Sequence, residues 1–254
     1  MHKRFLRHPV LWYFVLTMAA SLLLSIPHLL FGAILTPSFS LIQFGPAAGL
    51  FLFCLFSGSS APLRSMVIRF SGKRLCRWGI TAVFTTAVIL ISCGALLSRW
   101  GAPFTRWGGN AVFYSMECLA MLVCCAGEEV GWRGFLLPKL CENHSLFASS
   151  LMVGLLWGVW HLNFTAGPFG FLLFTGSIML NSVFLTWFYQ KSGGNLFVAI
   201  LEHFSFNLFS HLFLWNRLDA KAFLVEIALY GTADLIVVWA DRKLFLKERF
   251  PQGK

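Results

Sequence analysis

Eight apolar runs, most of them close to the length a helix needs to cross a bilayer, follow one another along this chain with short charged breaks between them. They lie at about 10–34, 43–58, 78–98, 110–130, 147–164, 168–189, 195–214 and 222–240. Inside hydrocarbon no water is available to the backbone N–H and C=O groups, so each run must satisfy its own, which a helix does. The expected fold is therefore all-α: a polytopic membrane helix bundle of about eight transmembrane helices, forming one transmembrane domain over residues 1–254. A chain that is 57% hydrophobic and 12% charged, with mean hydropathy +0.73, is too apolar for an ordinary soluble domain. The first run, after Met1-His2-Lys3-Arg4, is too long for a signal-peptide core and is read as a retained span. Pro27 inside it predicts a kink, and the short second run predicts a tilted or re-entrant element.

The net charge of +10 raises the possibility of a nucleic-acid partner, but the cations are scattered through short loops and form no dense stripe, so none is expected. Their placement follows topology instead. With the N-terminus in the cytoplasm, Arg99, Arg106, Arg217 and Lys221 fall outside, against the other 16 of the 20 Lys and Arg residues. This bias predicts that both termini are cytoplasmic, and the localisation expected is a multi-pass protein of the bacterial cytoplasmic membrane. The Arg64–Arg77 stretch, interleaved with apolar residues, reads as a topology-setting loop or as a segment lying on the anionic leaflet. The seven cysteines form no CxxC pair and fall mostly within apolar runs, so neither a disulfide framework nor a cysteine-based metal site is expected.

Against this background, Glu128-Glu129-Val130-Gly131-Trp132-Arg133 stands out, because desolvating a carboxylate costs several kcal/mol unless it is paired. Consecutive residues on a helix point about 100° apart, so the two glutamates cannot share one task. Arg133 is one turn after Glu129, in the favourable order for a Glu–Arg pair, which leaves Glu128 to face a cavity and act as a general base toward water. Taken alone, the same residues also fit a salt-bridged helix end. His161 closes a run in which Trp157 lies one turn earlier on the same face. His203 and Asn207 are likewise one turn apart and can present donors to one point, as an oxyanion requires. Separately these fit a packed histidine, an interfacial aromatic belt and an interhelical hydrogen bond. Together they supply a carboxylate base, an imidazole and an amide donor.

In Glu128-Glu129-x-x-x-Arg133, Trp157-x-x-x-His161 and His203-x-x-x-Asn207, the chain resembles the CPBP family of intramembrane glutamate proteases. That family includes the CAAX prenyl proteases and the Abi, bacteriocin-processing proteins. The resemblance covers about residues 110–210, the motif-bearing core. It implies a water-filled cavity within the bundle, reached from the cytoplasm, in which Glu128 and His161 activate water while His203 and Asn207 hold the oxyanion. Glu129, Arg133 and Trp157 are the implied supporting residues; the family pattern usually has Phe at the Trp157 position. No cofactor or metal is implied. A zinc on Glu128, His161 and His203 has acceptable ligand types, but no HExxH motif accompanies it. The implied partners are the lipid bilayer and a peptide or membrane-anchored protein substrate, for CAAX-type cleavage or peptide maturation. The alternative is a non-proteolytic immunity or scaffold protein of the same fold.

One geometric demand follows. If the fourth span ends near residue 130, Glu128 and His161 approach opposite membrane faces, because about 16 helical residues up to His161 span about 24 Å. Residues Glu128–Arg133 are therefore expected below the membrane surface, either on a fourth helix that ends deeper or beside an irregular connection at about 134–150 that sinks into the bundle.

Overall fold

The computed structural model describes residues 7–32, 38–102, 111–214 and 219–246. Eight principal helices follow the apolar runs: α1 Pro9–Phe31, α2 Gly45–Ser57, α3 Lys73–Arg99, α4 Ala111–Cys141, α5 Leu146–Trp160, α6 Gly167–Lys191, α7 Leu196–Phe213 and α8 Ala220–Ala240. A 3₁₀ turn, Leu41–Phe44, leads into α2, and the short helices Ala61–Arg64 and Arg242–Phe245 complete the set. No strand forms among the described residues, which hold a single bridge between Val67 and Asn195. Six helices are long and apolar enough to cross a membrane, while α2 and α5 are shorter. The protein is a multi-pass helical bundle. Leu22, Leu29, Leu235 and Trp239 are each more than 70% exposed, whereas Glu128, Glu129, Arg133 and Glu202 are buried. This inverts the pattern of a soluble domain, as expected where lipid is the solvent.

The largest departure from the hydropathy reading is α4. It does not stop near residue 130 but runs on to Cys141, passing through a π-helical turn at Trp132–Leu136. The widened turn explains how the helix survives Gly131, Gly134 and Pro138: a π bulge re-registers the backbone bonds, so the proline falls in the first turn of the α segment that follows. The irregularity expected beyond residue 134 is thus a change of helical pitch and not a loop. From Glu128 to the end of α4 is 13 residues, about 20 Å, and from the start of α5 to His161 is 15 residues, about 22 Å. In an antiparallel hairpin these lengths bring Glu128 and His161 to the same depth.

Successive helices alternate in direction, so the bundle has two ends. At one end Trp187 Nε1 donates to Asp241 (2.6 Å), Lys191 pairs with Asp241 (3.0 Å), Phe147 meets Phe245, and the Leu196 N–H donates to the Val67 carbonyl (2.8 Å). Burial alone would push the Asp241 carboxyl up, but the Trp187 N–H and the Lys191 ammonium outweigh it and hold it below the usual range. At the other end Leu97, Leu214, Ala222 and Val225 form a small apolar cluster. Among the described residues, Arg7, Arg64, Arg69, Lys73, Arg74, Arg77, Lys139, Lys191, Arg242 and Lys243 belong to the first end, and Arg99 and Lys221 to the second. Arg133, counted above with the cytoplasmic loops, lies wholly buried within α4 and carries no topological information. Lys3, Arg4, Arg106, Arg217, Lys247, Arg249 and Lys254 lie outside the described residues.

Close helix approach depends on small residues. Gly154 and Gly158 of α5 press on Met179 and Thr175 of α6, and Gly131 of α4 sits against the Tyr13 hydroxyl of α1 and Pro46 of α2. Gly131→Ala should therefore destabilise the fold by about 1–3 kcal/mol, because its methyl group would meet backbone and ring atoms that cannot retreat. Thermal unfolding in detergent measures this, and an unchanged midpoint would show that α1 and α2 yield freely.

Candidate functional site

The site is assembled on α4, where the consecutive positions 128 and 129 send two carboxylates in different directions. Glu128 lines a cavity of about 510 Å³ that reaches from mid-bundle to the end bearing Ser38, Asn163, Phe164 and Thr165. Only 1% of Glu128 is exposed, and both its oxygens are held: Gln43 Nε2 donates to Oε1 (3.2 Å) and Trp157 Nε1 to Oε2 (2.7 Å). Glu129 turns into the core. Its Oε1 accepts from Arg133 Nη1 and from His203 Nδ1, each at 2.9 Å. Arg133 in turn donates from Nη2 to Ser182 Oγ (3.1 Å), whose hydroxyl donates to the Ser150 carbonyl (2.8 Å). One ion pair thereby links α4 to α5, α6 and α7.

Trp157 is the hub of this arrangement. Its indole N–H reaches Glu128, the Arg133 guanidinium lies 4.8 Å from its ring centroid, and His203 meets it edge-on at 4.8 Å. Its backbone carbonyl holds His161 at Nδ1 (2.9 Å). A carbonyl only accepts, so Nδ1 carries the proton and in the neutral ring Nε2 carries the lone pair. His161 follows the last residue of α5 and is exposed at the cavity.

His203 and Asn207 share the cavity-facing side of α7, as the spacing implied, but each already has a partner. His203 Nδ1 is bonded to Glu129, and Asn207 Nδ2 donates to Cys125 Sγ (3.3 Å), one turn before Glu129 on α4. All seven residues singled out from the sequence are brought together. The ion pair Glu129–Arg133 was foreseen; the link from Glu129 to His203 was not. Gln43, Cys125, Ser182, Glu226 and His211 were also missed. Cys125 lies one turn before Glu129 and His211 one turn after Asn207, spacings that could have marked them, whereas Gln43, Ser182 and Glu226 carry no such signal; only packing shows that Gln43 belongs to Glu128 or that Glu226 and His211 line the same cavity. Among the described residues no group of three His, Cys, Asp or Glu side chains has the arrangement to hold a metal ion.

Residues 110–209 match the family described as type II CAAX prenyl endopeptidase Rce1-like. Those residues contain α4 to α7 and all three motifs. Over these residues the chain is similar to the CAAX prenyl endopeptidases. A curated relative, CAAX prenyl protease 2 from Methanococcus maripaludis, is 28% identical over 140 residues, which cover 50% of this chain and 51% of that protein. The chain thus spans about half the length of the curated relative it matches. The CPBP/CAAX match leaves out α1 to α3, yet the segment leading into α2 supplies Gln43, and α1 supplies Ser21, which accepts from Trp160 Nε1 (2.8 Å) at the cavity wall.

Proposed function

We propose that the chain is an intramembrane endopeptidase in which Glu128 activates a water molecule to hydrolyse a peptide bond near the membrane, without a metal. The observation that carries this reading is that one residue, Trp157, holds both proposed water-activating groups, Glu128 by its indole N–H and His161 by its backbone carbonyl. With Nδ1 fixed, the Nε2 lone pair of His161 can take a hydrogen bond from the water while Glu128 takes its proton. The water oxygen attacks the scissile carbonyl, and the proton on Glu128 then passes to the leaving amine. His203 and Asn207 are the proposed donors to the oxyanion. Because His203 Nδ1 is committed to Glu129, it donates from Nε2 as an imidazolium, for which Glu129 is the counter-charge. Glu129, Arg133 and Ser182 hold this ring in place. The cavity is of the size that receives a short peptide segment, and the similarity of residues 110–209 to the CAAX prenyl endopeptidases supports CAAX-type cleavage or peptide maturation as the reaction.

The test compares membrane proteomes of cells carrying the wild-type chain and Glu128→Gln, with and without a strong chelator. New peptide termini that depend on Glu128 and persist with chelator support the reading. Identical termini in both strains would sink it and leave a non-proteolytic scaffold; loss with chelator would replace the glutamate mechanism by a metal one. Trp157→Phe, which restores the ring usual in the family, should lower kcat/KM about tenfold, the ~1.5 kcal/mol of a hydrogen bond to a charged acceptor. Equal activity would remove the indole N–H from the mechanism.

A further inference from the structure

We infer that the cavity opens away from the cytoplasm, so that its substrate is a polypeptide segment presented on the extracytoplasmic side of the membrane. The substrate half of this statement rests on the endopeptidase reading; the orientation does not. Two observations meet here. The cavity mouth is formed where α1 and α5 finish and α6 and α8 begin, at Ser38, Asn163, Phe164 and Thr165. This is the end that holds Arg99 and Lys221, whereas the ten other loop and helix-end cations named above lie at the opposite end.

That asymmetry does not hang on one loop. Five cations lie between α2 and the first turns of α3, one near the end of α4, one at the end of α6, two after α8 and one before α1. Every connection on that end contributes in the same sense. Lys and Arg in short loops are retained in the cytoplasm, where anionic lipid and the membrane potential favour them. The basic end is therefore cytoplasmic and the mouth faces the other way. An orientation with cytoplasmic termini and a cavity reached from the cytoplasm cannot both hold in this fold, because the mouth and the helix ends at His8 and Phe245 lie on opposite sides. The charges favour the first. A prenylated tail made in the cytosol would then face the end away from the mouth, whereas an exported peptide or the outward loop of another membrane protein would meet it.

In intact cells expressing the full chain in a bacterial cytoplasmic membrane, on a Cys76→Ser background, a membrane-impermeant maleimide should label Thr165→Cys. Lys139→Cys should react only after permeabilisation. A C-terminal green fluorescent protein fusion should be fluorescent and the matching alkaline phosphatase fusion inactive, which keeps the test open if a cysteine variant fails to fold. The reverse pattern, or equal labelling of both sites, overturns the inference. Labelling requires no turnover, so Glu128→Gln should leave it unchanged, and the orientation stands or falls apart from the chemistry. Where Glu128-dependent termini are found, they should map to extracytoplasmic segments; cytoplasmic cut sites would overturn this inference while leaving the endopeptidase reading intact.

Discussion

Glu128→Gln is expected to lower peptide hydrolysis by about 10²–10⁴-fold while leaving the bundle folded, the range ascribed to a positioned general base. The amide keeps the size of the carboxylate and one oxygen for the Trp157 N–H, so the 2.7 Å contact survives. What is lost is the ability to take a proton from water. The second oxygen becomes an NH₂ group facing the Gln43 amide, whose own orientation adapts by a flip of its O and N. Turnover of a peptide released in the proteome comparison, measured beside thermal unfolding in detergent, separates chemistry from folding. A variant with wild-type turnover would exclude Glu128 as the base; one that is inactive and also unfolded would be replaced by Glu128→Asp, which keeps the charge and withdraws it by one methylene.

Arg133→Met should destabilise the protein by about 3–5 kcal/mol, the cost of removing one member of a buried ion pair, with His203 left as the remaining partner of Glu129. Arg133 and Glu129 are both wholly buried, with Nη1 2.9 Å from Oε1, an oxygen that His203 Nδ1 shares, while Glu129 Oε2 has no hydrogen-bond partner among the described residues. The guanidinium also spans α4 and α6 through Ser182 and covers the Trp157 ring, so its removal loosens three helices around one point. The double variant Glu129→Gln/Arg133→Met should recover part of the loss, because it removes the desolvation penalty of both charges, although His203 then loses its counter-charge. Unfolding midpoints of the three proteins decide this. If the double variant is no more stable than Arg133→Met, the charge of Glu129 is not the source of the cost.

These two expectations differ in how far they were legible before folding. The Glu129–Arg133 pair is an i, i+4 spacing on one helix, and such a spacing needs no tertiary information. The division of labour that sends Glu128 to the cavity follows from the same 100° step. By contrast, the Trp157 N–H bond to Glu128 crosses 29 residues and the Gln43 bond 85, and no period in the chain encodes either. His203 was read as part of an oxyanion pair with Asn207 from its spacing on α7, whereas its Nδ1 is bonded across the bundle to Glu129. The hydropathy reading also ended the fourth helix about ten residues early, because Gly131, Arg133, Gly134 and Pro138 look like a break. A π turn holds Arg133 and Gly134, with Gly131 just before it and Pro138 in the first turn after it, and buried partners for Arg133 make it cheaper for the chain to stay helical inside the bundle than to leave it.

The sequence by itself determined the class of fold, the sites of the apolar runs, and the three polar motifs on separate helices. All of these depend on local spacing and on the insolubility of bare backbone in lipid. Tertiary structure alone decided the depth of Glu128 relative to His161, the partners of every polar group in the site, and which end of the bundle is open. Those depend on how antiparallel helices distant in sequence slide and rotate against one another until their small residues meet and their buried charges are paired.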